Sequence, residues 1–158
     1  MAEPSITERP VGAVLQIGAW ADTLERAAEI LHRLTGTAPP AAGKATGVLL
    51  GLAPGRWLLV DDDRGWPHRL TAAFAGGEAC VTDLSAARLA LRLAGPGILT
   101  LMRGHIAFDL HERAFPVGSC AQTQIHHMAV TLHRRGIESF DLLVGRSLVR
   151  SLLAWLAH

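Results

Sequence analysis

The chain has 158 residues, of which 49% are hydrophobic and 18% are charged, and its formal net charge is +1. This apolar content suits a folded domain, whereas a net charge so close to zero argues against a general nucleic-acid binder, which neutralises phosphates with basic residues. No apolar run approaches the roughly 18 residues of a membrane-spanning helix. The first residues carry acids and no apolar segment, so we expect no signal peptide. The two cysteines, Cys80 and Cys120, are far apart in sequence and favour a reduced, cytoplasmic protein.

The chain begins with residues 1–10, which have no hydrophobic period and are predicted to be a loose arm. Residues 11–19 alternate between apolar and other side chains, which predicts a first strand. Asp22, with Glu25 three positions later, has the spacing of a capping box at a helix start. An apolar stripe at helical spacing follows, and Gly36 is expected to end this helix.

The next elements complete a recognisable order of strands and helices. Residues 46–52 and 56–60 are two apolar strands joined by a tight turn, which predicts a hairpin. Residues 66–74 predict a second helix, and residues 79–84 a further strand. Strand, helix, strand, strand, helix, strand is the ferredoxin-like arrangement.

The second half repeats this pattern loosely. Ala87, Leu89, Leu91 and Leu93 alternate with Arg88, Ala90 and Arg92, which predicts a half-buried strand. A short helix, a hairpin, a strand and a last helix, which we expect Ser147 to cap, follow at 96–103, 119–134, 140–144 and 147–156. The sequence therefore predicts an α+β fold of two related ferredoxin-like βαββαβ-type halves, about 1–80 and 81–158, packed as one domain over 1–158.

Several motifs of the second half resemble a known family. They are TDLS (82–85), LRLAGP (91–96), DLH (109–111), FPVGSCAQT (115–123) and FDLLVGRS (140–147). In order and spacing these motifs resemble the gamma subunit of heterotetrameric sarcosine oxidase. In the first half, the resemblance is supported only by the element order and by RWLLV (56–60).

The resemblance has implications for fold and function. It implies a fold similar to the folate-binding domain of the glycine-cleavage aminomethyltransferase. It implies an accessory, non-catalytic subunit of a complex that oxidatively demethylates sarcosine or a related N-methyl amino acid, with tetrahydrofolate as one-carbon acceptor. FAD, FMN, NAD, zinc and tetrahydrofolate would be held by partner subunits. This chain would hold no cofactor and would pack against the large (alpha) subunit, in an assembly that also contains beta and delta subunits.

Candidate partner contacts lie on the second-half strand and on the loop that follows its short helix. They are Arg88, Arg92, Asp109, Leu110, His111, Phe115, Pro116 and Cys120. An alternative function, also motivated by the resemblance, is a stand-alone small folate- or pterin-binding protein. In that case Arg88 and Arg92, on one strand face, could grip a carboxylate or a glutamate tail.

No group of residues predicts chemistry carried out by this chain alone. The histidines at 126, 127 and 133 cluster along the predicted hairpin, but two or three imidazoles with Cys120 as a further ligand make a weak zinc pattern. Cys120 as a nucleophile would need a base such as His111 or His126, and a buried inert thiol is the commoner case. We therefore expect no catalytic, cofactor or metal residues in the chain.

Three consecutive acids, at 61–63, offer one further pattern. Adjacent carboxylates could bind a hard cation, but the alternating acids and distal Glu of an EF-hand loop are missing. Acids just before a helix more often solvate the loop and cap the helix, which is what we expect here.

Overall fold

The computed structural model describes residues 2–158 and divides the chain into two compact units. The terminal unit combines the residues up to Pro10 with Ala87–His158, and the middle unit is Val11–Ala86. The strands are β1 (Ser5–Arg9), β2 (Ala13–Ala19), β3 (Ala45–Thr46), β4 (Leu49–Ala53), β5 (Arg56–Asp61), β6 (Ala79–Asp83), β7 (Arg88–Ala94), β8 (Cys120–Ile125), β9 (Met128–Gly136) and β10 (Ser139–Gly145). The helices are α1 (Leu24–Thr35), α2 (Trp66–Ala73), α3 (Ile98–Arg103) and α4 (Val149–Leu156).

Each unit contains one antiparallel sheet of five strands, with the order β3-β4-β5-β2-β6 in the middle unit. In the terminal unit the order is β1-β7-β10-β9-β8. The α+β class predicted from the sequence is confirmed, because antiparallel sheets and separate helices make up both units.

Each unit also has its own apolar core. In the middle unit Leu15 of β2, Leu31 of α1 and Leu70 of α2 belong to one buried cluster. In the terminal unit Leu93 of β7 and Leu152 of α4 belong to another. The alternation that predicted β2 and β7 places one face of each strand in such a core, which removes its apolar area from water.

Strand β1 was not predicted, and the expectation of a loose arm was wrong. Its residues pair in register with β7, from Ser5 opposite Ala94 to Arg9 opposite Ala90. The segment reads SITER, and only Ile6 and Arg9 are even half-buried. An edge strand with so little apolar content has no periodic signal, because its stability comes from the neighbouring strand rather than from its own side chains.

Two predicted helix caps were also wrong. The N-cap of α1 is Thr23 rather than Asp22, and no side chain caps the helix. The Thr23 hydroxyl instead donates to the Glu78 carbonyl at 2.7 Å, so it connects the start of α1 to the segment before β6. Ser147 lies in a 3-10 turn that precedes α4 and does not cap that helix. The end of α1 was predicted correctly, since Gly36 adopts a left-handed φ of 79°.

Candidate functional site

The loop between α3 and β8 is held by one buried arginine, Arg134 of β9, whose exposed fraction is 1%. Its Nη1 donates to the carbonyls of Leu110 at 3.1 Å and Phe115 at 2.6 Å. Its Nη2 donates to the Ile137 carbonyl at 2.8 Å, in the turn between β9 and β10. A guanidinium offers five donors in a fixed fork, so one side chain fixes a loop and a turn at the same time.

The candidate contacts predicted on this loop divide by exposure. The side chains of Leu110, Phe115 and Cys120 are buried in the terminal unit. Asp109 and His111 are exposed, and the Asp109 carboxylate accepts the His111 amide at 2.8 Å, which closes a local turn. The buried residues therefore shape the loop, whereas the exposed ones are available to a partner.

A carboxylate with three arginines around it lies on one face of the terminal sheet. Asp141 of β10 is only 5% exposed. Arg92 donates to it through Nε and, at 3.2 Å, through Nη2, and Arg9 Nη1 donates at 3.1 Å. Arg135 Nε lies 3.7 Å from the same carboxylate. We call these four residues the Asp141 cluster, and the hydrogen bonds that Arg92 donates to Asp141 raise the pKa of Arg92.

The register of the sheet explains why these groups meet. Residues that are directly paired on neighbouring strands form a row across all five strands, and the side chains of such a row lie on the same face of the sheet. The row consists of Thr7, Arg92, Asp141, His133 and Cys120. Arg9 and Arg135 lie two residues along their strands from this row, and residues separated by two point to the same side.

His133 is a neutral base in this row. Burial, followed by the charge of Arg135, lowers its pKa to about 4, and the attraction of Asp141 does not compensate. Cys120 lies directly opposite His133 in the register, rather than beside His111 or His126. A thiol that is 2% exposed is not accessible to a substrate, which agrees with the prediction of a buried residue.

Arg88 and Arg92 do not form a joint grip on one anion. They are four residues apart on β7, which is roughly 13 Å along a strand. Arg92 is already bound by Asp141, and Arg88 lies opposite Gly145 at the other end of the pairing. The residue-level basis for the folate-binding alternative is therefore weak, since it required both guanidinium groups to face one ligand.

The turn between β8 and β9 carries a histidine pair that the sequence only partly predicted. His126 and His127 have left-handed φ values of 47° and 70°, in positions that Asn-Gly usually occupies. His126 stacks on the Trp155 indole with a centroid distance of 3.9 Å, and its Nε2 lies 2.9 Å from His105 Nδ1. His126 thus contacts His105, which the sequence analysis did not group with the histidines at 126, 127 and 133.

The expectation that the three acids before α2 cap that helix was wrong, because its N-cap is Gly65 and no side chain caps it; two of the acids instead bind within the loop and the first turn. Asp61 accepts the Trp66 indole N–H at 2.7 Å, and Asp63 accepts the Gly65 amide at 2.8 Å and pairs with Arg69. The Gly65 amide, followed by Arg69, holds the pKa of Asp63 below its ordinary value. Within residues 2–158 no three His, Cys, Asp or Glu side chains converge as a metal site, and no helix is long and apolar enough to cross a membrane.

A cavity of about 330 Å³ lies in the middle unit, lined by Arg26, Glu29, Ile30, Arg33, Ala73 and Glu78. Glu78 Oε1 accepts Arg26 Nε at 3.4 Å, and its Oε2 is buried without a hydrogen-bond partner among the described residues. Because the lining mixes acids and arginines, its charge favours no single class of ligand.

Comparison with known proteins identifies the family. The profile of the "Sarcosine oxidase, gamma subunit family" matches residues 22–158. The chain belongs to this family. The resemblance predicted from second-half motifs is thereby confirmed, and it extends through most of the first half.

Individual relatives agree with this assignment. The chain is 30% identical to the sarcosine oxidase subunit gamma of Corynebacterium sp. (strain U-96), in an alignment covering 98% of this chain and 78% of the relative. A chain of the heterotetrameric sarcosine oxidase from Corynebacterium sp. U-96, solved with pyrrole 2-carboxylate, superposes with a TM-score of 0.87 and 28% identity, over 97% of this chain and 81% of that one. The glycine cleavage system aminomethyltransferase T from Bartonella henselae has the same fold over 98% of this chain and 45% of its own, with a TM-score of 0.68 and 15% identity.

Proposed function

We propose that this chain is an accessory subunit of a heterotetrameric sarcosine oxidase-like complex and carries out no chemistry by itself. The observation that carries the proposal is the match, with a TM-score of 0.87 over 97% of the chain, to one chain of such an assembly. The reaction of the complex would be the oxidative demethylation of sarcosine or a related N-methyl amino acid, with tetrahydrofolate as one-carbon acceptor. FAD, FMN, NAD, zinc and tetrahydrofolate would reside in the alpha, beta and delta subunits, and the complex would be cytoplasmic.

Exposed apolar side chains support a role in assembly. Val117 and Ile137 are 47% and 61% exposed, and Trp155 of α4 is 48% exposed. Exposed apolar side chains mark a site that another protein covers where they form a continuous patch. The loop that presents Val117 is fixed by Arg134, and a pre-ordered loop loses less conformational entropy when it binds.

The strand order supports the inference that the two units are related ferredoxin-like halves. In the middle unit β6 pairs with β2 at the edge of the sheet, and in the terminal unit β1 pairs with β7 at the corresponding edge. The two strand orders then correspond position by position. We infer that β1 holds in the terminal unit the place that β6 holds in the middle unit.

Co-expression tests the proposed function. The chain would be produced with the alpha, beta and delta subunits encoded in the same genome, with an affinity tag on the alpha subunit. We expect a stoichiometric complex that oxidises sarcosine, and omission of this chain should lower the yield or stability of the complex. A fully active and stable complex that forms without this chain, and never contains it, would contradict the proposal.

A second measurement separates an accessory role from a folate-binding one. Isothermal titration of tetrahydrofolate into the isolated chain should give no binding heat. Saturable binding would instead support the folate-binding alternative.

A further inference from the structure

The Asp141 cluster carries more positive than negative charge. One carboxylate faces three guanidinium groups, whose side chains are 25% (Arg9), 34% (Arg92) and 42% (Arg135) exposed. Asp141 can accept only a few of their hydrogen bonds, because each guanidinium has five donors. The three guanidinium groups therefore keep donors that Asp141 does not bind, and each side chain is partly exposed to solvent.

The state of the neighbouring histidine agrees with a positive local field. Burial is the largest cause of the lowered pKa of His133. Arg135, Arg9 and Arg92 lower this pKa further, and Asp141 alone raises it. His133 is consequently neutral near pH 7 and adds no charge to the face. The arginines keep an excess of two positive charges at this place, although the chain as a whole is nearly neutral.

Apolar side chains border the cluster. The Gly118 amide donates to the Arg134 carbonyl at 2.9 Å, which places the exposed Val117 beside the β9 segment that carries Arg135. The exposed Ile137 follows Arg135 by two residues, in the turn between β9 and β10. Protein–protein interfaces combine apolar and charged side chains, and arginine is enriched in them.

Fixed geometry distinguishes this cluster from ordinary surface arginines. Asp141 is nearly buried and holds Arg92 by two hydrogen bonds and Arg9 by one, so neither side chain samples many rotamers. Guanidinium groups ordered in this way are suited to bidentate binding of carboxylates. Further along the same face Leu143 and Ala90 are buried, so the cluster marks where the face opens to solvent.

We propose that Arg9, Arg92 and Arg135, together with Val117 and Ile137, form a docking surface for an acidic segment of another subunit of the complex. The proposal rests on the proposed function and adds the chemistry of the contact: Asp or Glu carboxylates bind the arginines beside an apolar contact on Val117 and Ile137. Such complementary charge accelerates association and fixes the orientation of the partner.

Charge reversal tests the surface. Arg135→Glu places an acid at the most exposed position of the cluster, and Arg150→Glu is the matched control on the exposed part of α4. Association with the tagged complex of the other subunits would be measured by interferometry over a series of NaCl concentrations. We expect Arg135→Glu to weaken binding by about tenfold at low salt and to flatten the salt dependence, with the control close to wild type.

The outcomes separate the two proposals. If wild type does not bind the other subunits, the proposed function fails and this inference fails with it. If wild type binds and Arg135→Glu binds equally well with the same salt dependence, only the docking surface is refuted. Should Arg135→Glu fold poorly by circular dichroism, the neutral variant Arg135→Gln replaces it, with an expected loss of severalfold, and unchanged binding by that variant refutes the surface equally.

Discussion

Replacing Arg134 by Met should destabilise the terminal unit, because it removes a buried donor group and keeps most of the side-chain volume. The carbonyls of Leu110 and Phe115 would lose buried, charge-assisted hydrogen bonds, each worth roughly 1.5–3 kcal/mol, or about 3–6 kcal/mol for two. Met also removes the cost of burying a guanidinium that has no carboxylate partner, which offsets part of this loss. We therefore expect a net decrease of about 2–4 kcal/mol in the free energy of unfolding, or roughly 5–15 °C in Tm.

Urea denaturation followed by far-UV circular dichroism measures the change, and hydrogen exchange shows where it occurs. The amide of Gly118, which donates to the Arg134 carbonyl, and the amide of Phe115 should lose protection first. Arg134→Lys keeps the charge but cannot reach two carbonyls and a turn at once, so it should restore little of the stability. Arg150→Met, on the exposed part of α4, should stay within about 0.5 kcal/mol of wild type. A stability of Arg134→Met within 1 kcal/mol of wild type would refute the structural role given to this side chain.

Three further changes test other parts of the structure. Because the pKa of His133 is lowered from 6.5 to about 4, the unfolded chain takes up a proton at a higher pH than the folded chain, and stability falls as pH decreases from 6.5 to 4. After allowance for solvent screening, His133→Gln should reduce this loss of stability by roughly 1 kcal/mol when the free energy of unfolding is compared at pH 7 and pH 4.5. Parallel curves of stability against pH for wild type and variant would contradict the shift. His127→Gly relieves a left-handed φ of 70° and should raise stability by roughly 1 kcal/mol in thermal melts, whereas no gain would mean that the turn is unstrained. Thr23→Ala removes the hydroxyl bound to the Glu78 carbonyl and should lower the free energy of unfolding by about 1 kcal/mol. Asp22→Ala should lower it by less than about 0.5 kcal/mol, because Asp22 does not cap the helix. Equal decreases for the two variants would restore the capping-box interpretation.

Local patterns in the sequence predicted most of the fold. The strict alternation from Arg88 to Leu93, the turn at 53–55 and the helix end at Gly36 each depend on a few neighbouring residues, and all three are confirmed. Strand β1 depends on a partner almost ninety residues away, such as Ala94 opposite Ser5. Pairing between strands so far apart in sequence produces no hydrophobic periodicity within the short β1 segment, so strand β1 could not be predicted from the sequence.

The central residues of the site were harder to predict. Arg134 is part of a polar run, HRR. Its burial depends on hydrogen bonds to the backbone carbonyls of Leu110 and Phe115. A pattern of side chains cannot predict hydrogen bonds to backbone groups. Asp141 did leave a signal, because an acid within the apolar run FDLLV requires a partner if the strand is buried. Finding Arg9 and Arg135 as partners required the register of β1, β7, β10 and β9, which only the sheet provides.

Strand β1 has a consequence for protein synthesis. Its residues leave the ribosome before the middle unit, yet their hydrogen-bonding neighbour β7 is translated only after the whole middle unit. All five strands of the middle sheet lie between Val11 and Ala86, so the nascent chain can fold the middle unit before β7 is available to pair with β1. The terminal unit then closes late, when β7 to β10 emerge and β1 becomes one edge of their sheet.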